Sequence, residues 1–345
     1  MKKLVLIIVL LILNLTLFSQ TKDKEYYTDI GKAMGYYFGM ELTLDLIVEK
    51  YPTLSREAMN AKMNLKIAHE KSIEYIASIY EEASGKNIDV FKNEIINKVL
   101  AEYDYANFSS NEATAYLYNF EEERIKGNHE LYGDFVAILL SHNTYYQSIP
   151  AKEFLDDYKN IFHTDNHSKS KGLNISISYP KSWSSQEGKR PNIITLIKNS
   201  NNDCLVTLVV GDILSEMGVT YSSLSNEDIE YIKSAEFANE MLNEFEDPKE
   251  YLLSAGLKNV TDTDSKRTTI DSSPAIIIKG RGNRSTVLAD LDVYMINYMI
   301  IYEYYLIHIG VMITLNEQDN TQEHINKYDL LSKLIANSLI IKDQW

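Results

Sequence analysis

The chain has 345 residues, 45% of them hydrophobic and 24% charged, which is an ordinary globular balance with length enough for two domains. Its 49 acidic residues outweigh 34 basic ones, and the formal charge of -15 excludes general binding to nucleic acid or anionic membrane unless one patch is locally basic. A single cysteine, Cys204, excludes an internal disulfide and any multi-cysteine metal site.

The chain opens on Lys2 and Lys3, continues through the apolar run Leu4 to Leu13, and turns polar at Ser19-Gln20-Thr21. That order predicts a secretory signal peptide over residues 1–20, with an apolar core short for a membrane span. The rival reading is an uncleaved anchor. The mature chain is expected to be extracytoplasmic, periplasmic or secreted, with no transmembrane span after signal cleavage.

Residues 21–162 read as a helical domain. Ile30, Met34 and Tyr37 recur at helical spacing until Tyr51-Pro52 stops them. A second helix is expected from a cap at Thr53 to Ser55, through Leu65, Ala68, Ile76 and Ile79, to Ser84-Gly85. Ile88, Phe91, Ile95, Val99 and Tyr103 form the stripe of a third. Ser109-Ser110-Asn111-Glu112 is a capping box for a fourth, and shorter helices follow at 131–141 and 151–162. Residues 163–172 hold no apolar side chain and read as a linker.

From Leu173 the period becomes two. Leu173, Ile175, Ile177 and Tyr179 alternate with polar residues, and strands are predicted at 193–197, 205–210, 258–261, 265–270, 275–279, 286–300 and 304–314. Helical pieces are expected at 227–245, 248–255 and 323–337. The long apolar stretch Val293–Leu315 contains Asn297, Glu303 and His308, costly in hydrocarbon, so it reads as two strands with a turn near Tyr302-Glu303. The fold class is therefore α+β in two domains: an all-α helical bundle, then an antiparallel β-sheet flanked by helices over 173–345.

The motif Ile175-Ser176-Ile177-Ser178-Tyr179-Pro180-Lys181-Ser182-Trp183 ends a strand on Tyr-Pro followed by Trp. Ser273-Pro274-Ala275, the Tyr-rich hairpin Asp292–Thr314 and the closing helix Ile325–Ala336 follow in order. On these residues the part from about 171 to 345 resembles the PsbP-like family, whose fold is shared with an extrinsic subunit of photosystem II. The resemblance implies a sheet flanked by helices that works as a binding or assembly module, without catalysis of its own.

Three features are candidate binding sites. Gly31, Gly35 and Gly39 fall on one face of the first helix, where each glycine costs about 1 kcal/mol relative to alanine. Either a second helix approaches closely there, or a partner or ligand uses the groove. Lys279-Gly280-Arg281-Gly282-Asn283-Arg284 is the densest positive spot and is expected in a hairpin loop. Its arginines, Arg281 and Arg284, are either solvated or a contact for anions or an acidic partner. Tyr294, Tyr298, Tyr302 and Tyr304 have even spacing and are expected to share one face of a strand, as a core layer or as an interface.

No catalytic residue, cofactor or metal is predicted. His163 and His167 with Asp165 have ligand-like spacing but no third ligand, and Cys204 has no visible activator. The preferred function is an exported, non-catalytic binding or assembly protein of the bacterial cell envelope, with a protein partner and no nucleic acid. The alternatives are an extracytoplasmic hydrolase whose groups converge only in three dimensions, or a small-molecule or glycan carrier.

Overall fold

A computed structural model describes residues 23–344, apart from 86, 103–107, 286–289 and 316–320. The expected signal peptide lies outside the described residues. The chain divides into two compact units between Ser148 and Ile149.

The first unit is helical: α1 (Asp23–Lys50), α2 (Ser55–Ser84), α3 (Ile88–Glu102), α4 (Ser110–Leu117), a π-turn at Glu121–Ile125, α5 (Gly133–Ser141) and α6 (Thr144–Ser148). Its centre is α1, which packs on α2, α3 and α5 and buries Ile30, Met34, Tyr36, Tyr37, Leu44 and Ile47. A helix apolar on most sides has to be interior. Helix α2 ends where Gly85 takes φ 66, its N–H bonding Glu81 O. At its other end the expected cap makes no side-chain hydrogen bond. The Ser109/Glu112 capping box of α4 is present in both directions.

The second unit begins with α7 (Pro150–Leu155) and β1 (Lys159–His163). The helix expected over 151–162 is therefore short. Asp157 sits at φ 68, and the following residues pair antiparallel with β2 (Ile175–Pro180). The stretch 163–172, read as a linker, is instead anchored inside this unit. Thr164 is buried, donates through Oγ1 to Leu173 O at 2.9 Å and accepts from Ile175 N at 2.9 Å. Its polar side chains close backbone hydrogen bonds, a use that composition cannot distinguish from solvation.

The main sheet has seven antiparallel strands in the order β3-β4-β5-β9-β8-β7-β6, and β1-β2-β10 form a second, small sheet. The strands are β3 (Ser184–Glu187), β4 (Ile193–Lys198), β5 (Cys204–Asp212), β6 (Lys258–Ile270), β7 (Ser273–Ser285), β8 (Asp290–Tyr302), β9 (Tyr305–Leu315) and β10 (Ile340–Ile341). Four short helices follow β5: α8 (Ile213–Glu216), α9 (Asn226–Ile232), α10 (Ala235–Asn243) and α11 (Pro248–Ser254). They bury Phe237, Leu242 and Leu252 against Ile276, Ile278, Val293 and Met299. The opposite face, with Val206, Ile296, Tyr298 and Ile309, is covered by Tyr328, Leu331 and Ile335 of α12 (Thr321–Asn337). The unit is α+β, an antiparallel sheet flanked by helices. The Val293–Leu315 stretch is the β8–β9 hairpin, and no helix among the described residues is long and apolar enough to cross a membrane.

Candidate functional site

The predicted glycine face of α1 is interior. Gly31, Gly35 and Gly39 are all buried, and a Cβ built on Gly35 meets nothing within 4 Å. At Gly35 the neighbouring helices leave space instead of closing on bare backbone.

The segment Lys279–Arg284 is not a loop but the interior of β7. Gly280 and Gly282 face α11 and the chain that follows it. A Cβ on Gly280 would run into Leu252 Cδ1, and one on Gly282 would meet Lys258 O at 2.8 Å. These glycines admit a close neighbour; they do not make a turn. Strand alternation then sends the two arginines to opposite faces. Arg281, opposite Tyr294 in the ladder, spends its fork on Asp292, with Nε donating to Oδ1 at 3.1 Å and Nη2 donating to Oδ2. Arg284 reaches Met312 Sδ at 3.4 Å.

The tyrosine row divides in the same way. Tyr294, Tyr298 and Tyr302 face α12. Tyr298 is buried, its hydroxyl 3.0 Å from Ser332 Oγ, and burial pushes that hydroxyl up to about 12; the other two are half-buried. Glu303 at φ 51 then reverses the chain, and Tyr304 packs on the opposite core beside Tyr221. Even spacing ends at the turn, so the four do not share a face.

Polar groups within the second unit close on one another. Above Gly310, His308 Nε2 donates to Asn297 Oδ1 at 2.9 Å and Thr207 Oγ1 donates to Gly310 O at 3.2 Å. The His308 ring is desolvated, which holds its pKa down to about 4 and keeps it neutral. Asn297 Nδ2 is buried without a partner among the described residues. Asp203 accepts from Tyr328 OH at 2.8 Å, with Lys327 Nζ at 3.8 Å. Burial first, and Asp203 second, push the adjacent Cys204 thiol well up, the reverse of what a nucleophile needs. Asp165 pairs with Lys342 at 2.8 Å, and His167 caps the following turn by accepting from Lys169 N. Among the described residues no group of three or more His, Cys, Asp or Glu is placed to hold a metal ion. In the Tyr-Pro-Lys-Ser-Trp turn, Ser182 donates its N–H at 2.8 Å and its hydroxyl at 2.7 Å to Glu153 of α7. Burial outweighs these donors and raises the Glu153 carboxyl to about 7.

In the helical unit the π-turn widens the backbone ring, with Lys126 N bonding Glu121 O. Two displaced carbonyls find side chains instead: Tyr36 OH donates to Arg124 O at 2.8 Å, and His69 Nε2 donates to Ile125 O at 2.9 Å. Arg124 itself is buried between aromatic rings, 4.5 Å from the centroid of Tyr116 and 5.1 Å from that of Tyr132. A groove of about 460 Å³ lies along α1 and α5, lined by Asp29, Lys32, Leu131, Asp134, Phe135 and Ile138.

The outer side of α2 carries the apolar surface that the sequence reading passed over. Met59, Met63 and Ile67 are 59%, 54% and 77% exposed, and Tyr75 is exposed two turns further on. Leu65, His69, Ser72 and Ile76 occupy the buried side. Beyond Ile67, Lys71 lies 5.7 Å from the ring of exposed Tyr145, and Tyr75 lies 6.1 Å from His142. The legible signal was a second apolar row, at four-residue spacing, on the side of the helix away from Leu65.

No protein-family model matches the sequence, and no curated protein matches it. Among solved structures the chain is similar to the solution structure of cyanobacterial PsbP (CyanoP) from Synechocystis sp. PCC 6803. The identity is 12% and the TM-score 0.30, over 53% of this chain and 92% of that one. This is a weak likeness of fold, and a score so low carries no functional argument.

Proposed function

We propose that the chain is an exported, non-catalytic binding or assembly protein of the bacterial cell envelope that works through protein contact. The observation that carries this reading is the row of Met59, Met63 and Ile67 at four-residue spacing on α2. Burying apolar surface is favourable by about 25 cal/mol per Å², and a contiguous exposed row of large apolar side chains marks an interaction site more often than an idle surface. The titratable groups around Asp203 and His308 are tied to partners within the fold, which weighs against the hydrolase reading. A photo-cross-linking residue placed at Met63, Ile67 or Tyr75 of the full chain, in its own cells, is expected to capture one specific protein. Capture of nothing from any of the three positions sinks the reading.

A second reading, a small-molecule carrier, is favoured by the groove of about 460 Å³ with its apolar floor of Leu131, Phe135 and Ile138. It requires ligand-induced NMR shifts confined to those residues in a fragment screen.

A further inference from the structure

Resting on the carrier reading, we infer that the groove along α1 and α5 takes a small organic amine, held as its ammonium at the rim with an apolar tail on the floor. The floor is Leu131, Phe135, Ala137 and Ile138, and the rim is Asp29, Lys32 and Asp134. The floor is fixed from behind. Phe135 stacks on the buried ring of Tyr36, with centroids 5.0 Å apart and planes at 20°. The result is a preformed apolar concavity of about 460 Å³, within the range that small ligands occupy.

The charges at the rim select the sign of the occupant. Lys32 Nζ donates to Asp29 Oδ1 at 2.9 Å, so the one cation of the rim is already committed. Asp134 is exposed and has neither a hydrogen bond nor an ion pair among the described residues. One carboxylate is therefore in excess. An anion would meet that carboxylate and a lysine held by another. A neutral apolar molecule would gain the floor but strip water from the rim and return nothing to it. An ammonium with an apolar tail gains the floor and donates to Asp134, so burial and charge act together.

The seam continues in the same sense beyond Asp29. Tyr26, one turn earlier on α1, is 42% exposed, and His142 closes α5 one turn after Ile138. His142 Nδ1 donates to Ile138 O at 2.9 Å, which leaves Nε2 to accept from the Tyr26 hydroxyl at 3.3 Å. Desolvation of the ring lowers its pKa and favours this neutral form. With its proton turned to His142, the Tyr26 oxygen is an acceptor for whatever lies beside it. Asp29, Asp134 and Tyr26 thus offer acceptors, and an ammonium brings three donors.

The test titrates the mature full chain with octylamine, octanol and octanoate, probes of one length that differ in charge, and follows the methyl resonances of Leu131, Ala137 and Ile138. Octylamine should shift these methyls and bind about fivefold tighter than octanol, the scale of one partly exposed ion pair, with octanoate weakest. Added salt should weaken the amine alone. Asp134→Asn, a change at an exposed position, should remove most of the amine's advantage and leave octanol unchanged. Asp29→Asn combined with Asp134→Asn frees Lys32 and should reverse the order, with octanoate now tighter than octylamine. Octanol or octanoate binding the wild type as tightly as octylamine overturns the amine inference and leaves the carrier reading standing. So does an amine affinity that Asp134→Asn does not change. If none of the three probes shifts these methyls, both fall.

Discussion

Glycines at two positions look alike in the sequence and behave in opposite ways in the structure. At Gly35 a methyl group has room, so Gly35→Ala should raise stability by about 1 kcal/mol through helix propensity alone. At Gly282 a Cβ would press on the Lys258 carbonyl at 2.8 Å, backbone that cannot swing aside. Gly282→Ala should cost roughly 1–3 kcal/mol. Urea unfolding of the two variants checks both signs. The same limit applies to the arginines. That Arg281 carries positive charge is plain from its type, but its occupation by Asp292 follows from the pairing register of β7 and β8, which no local pattern reports. Tyrosine spacing likewise holds only while the strand does, and Glu303 ends it.

Elements were most legible where one period persisted. The long helices, the Ser109 capping box, the β8–β9 hairpin and α12 follow from spacing that repeats over three turns or several alternations. Short or irregular elements were not legible. Strand β1 is five residues following a left-handed Asp157, and β6 runs through two irregularities that split it in the sequence pattern. The π-turn adds one residue to a helical ring, a change too small to disturb any periodicity. Its role can be measured nonetheless. Tyr36→Phe removes the donor to Arg124 O in a buried site, and should cost about 1–3 kcal/mol because that carbonyl has lost its ring partner and gains no water. The exposed row on α2 was missed for a related reason: one amphipathic stripe was sought, and α2 has two.

At the scale of the whole chain both units should lose stability in acid, through His69 in the first and His308 in the second, and the second should lose it as pH rises as well, through Glu153. Burial lowers His69 to about 4, against an ordinary value near 6.5. An unfolded chain takes up that proton first, so the helical unit loses stability as pH falls from 6.5 towards 4. Glu153 has the opposite sign. Its folded value near 7 exceeds the ordinary 4.5, so its contribution is complete below pH 4.5 and is lost as pH rises through 7. Trp183 is buried in the second unit, so the change in its emission follows that unit while far-ultraviolet circular dichroism weighs the helices. Glu153→Gln should raise the emission-detected melting temperature above neutral pH, by an amount on the order of 1–3 kcal/mol in stability, and do little below pH 4.5. A melting temperature unchanged at alkaline pH would show that the carboxylate costs nothing there.

The one thiol of the chain lies under the sheet at 1% exposure, beside Asp203, with its ionisation suppressed. A folded copy is therefore silent to thiol reagents, and every opening of β5 is a chance for irreversible labelling. Each molecule keeps a chemical memory of whether it has ever unfolded. The labelled fraction over time would count openings that an equilibrium spectrum averages away, and in an oxidising compartment the same exposure would turn a brief unfolding event into a covalent tie between copies.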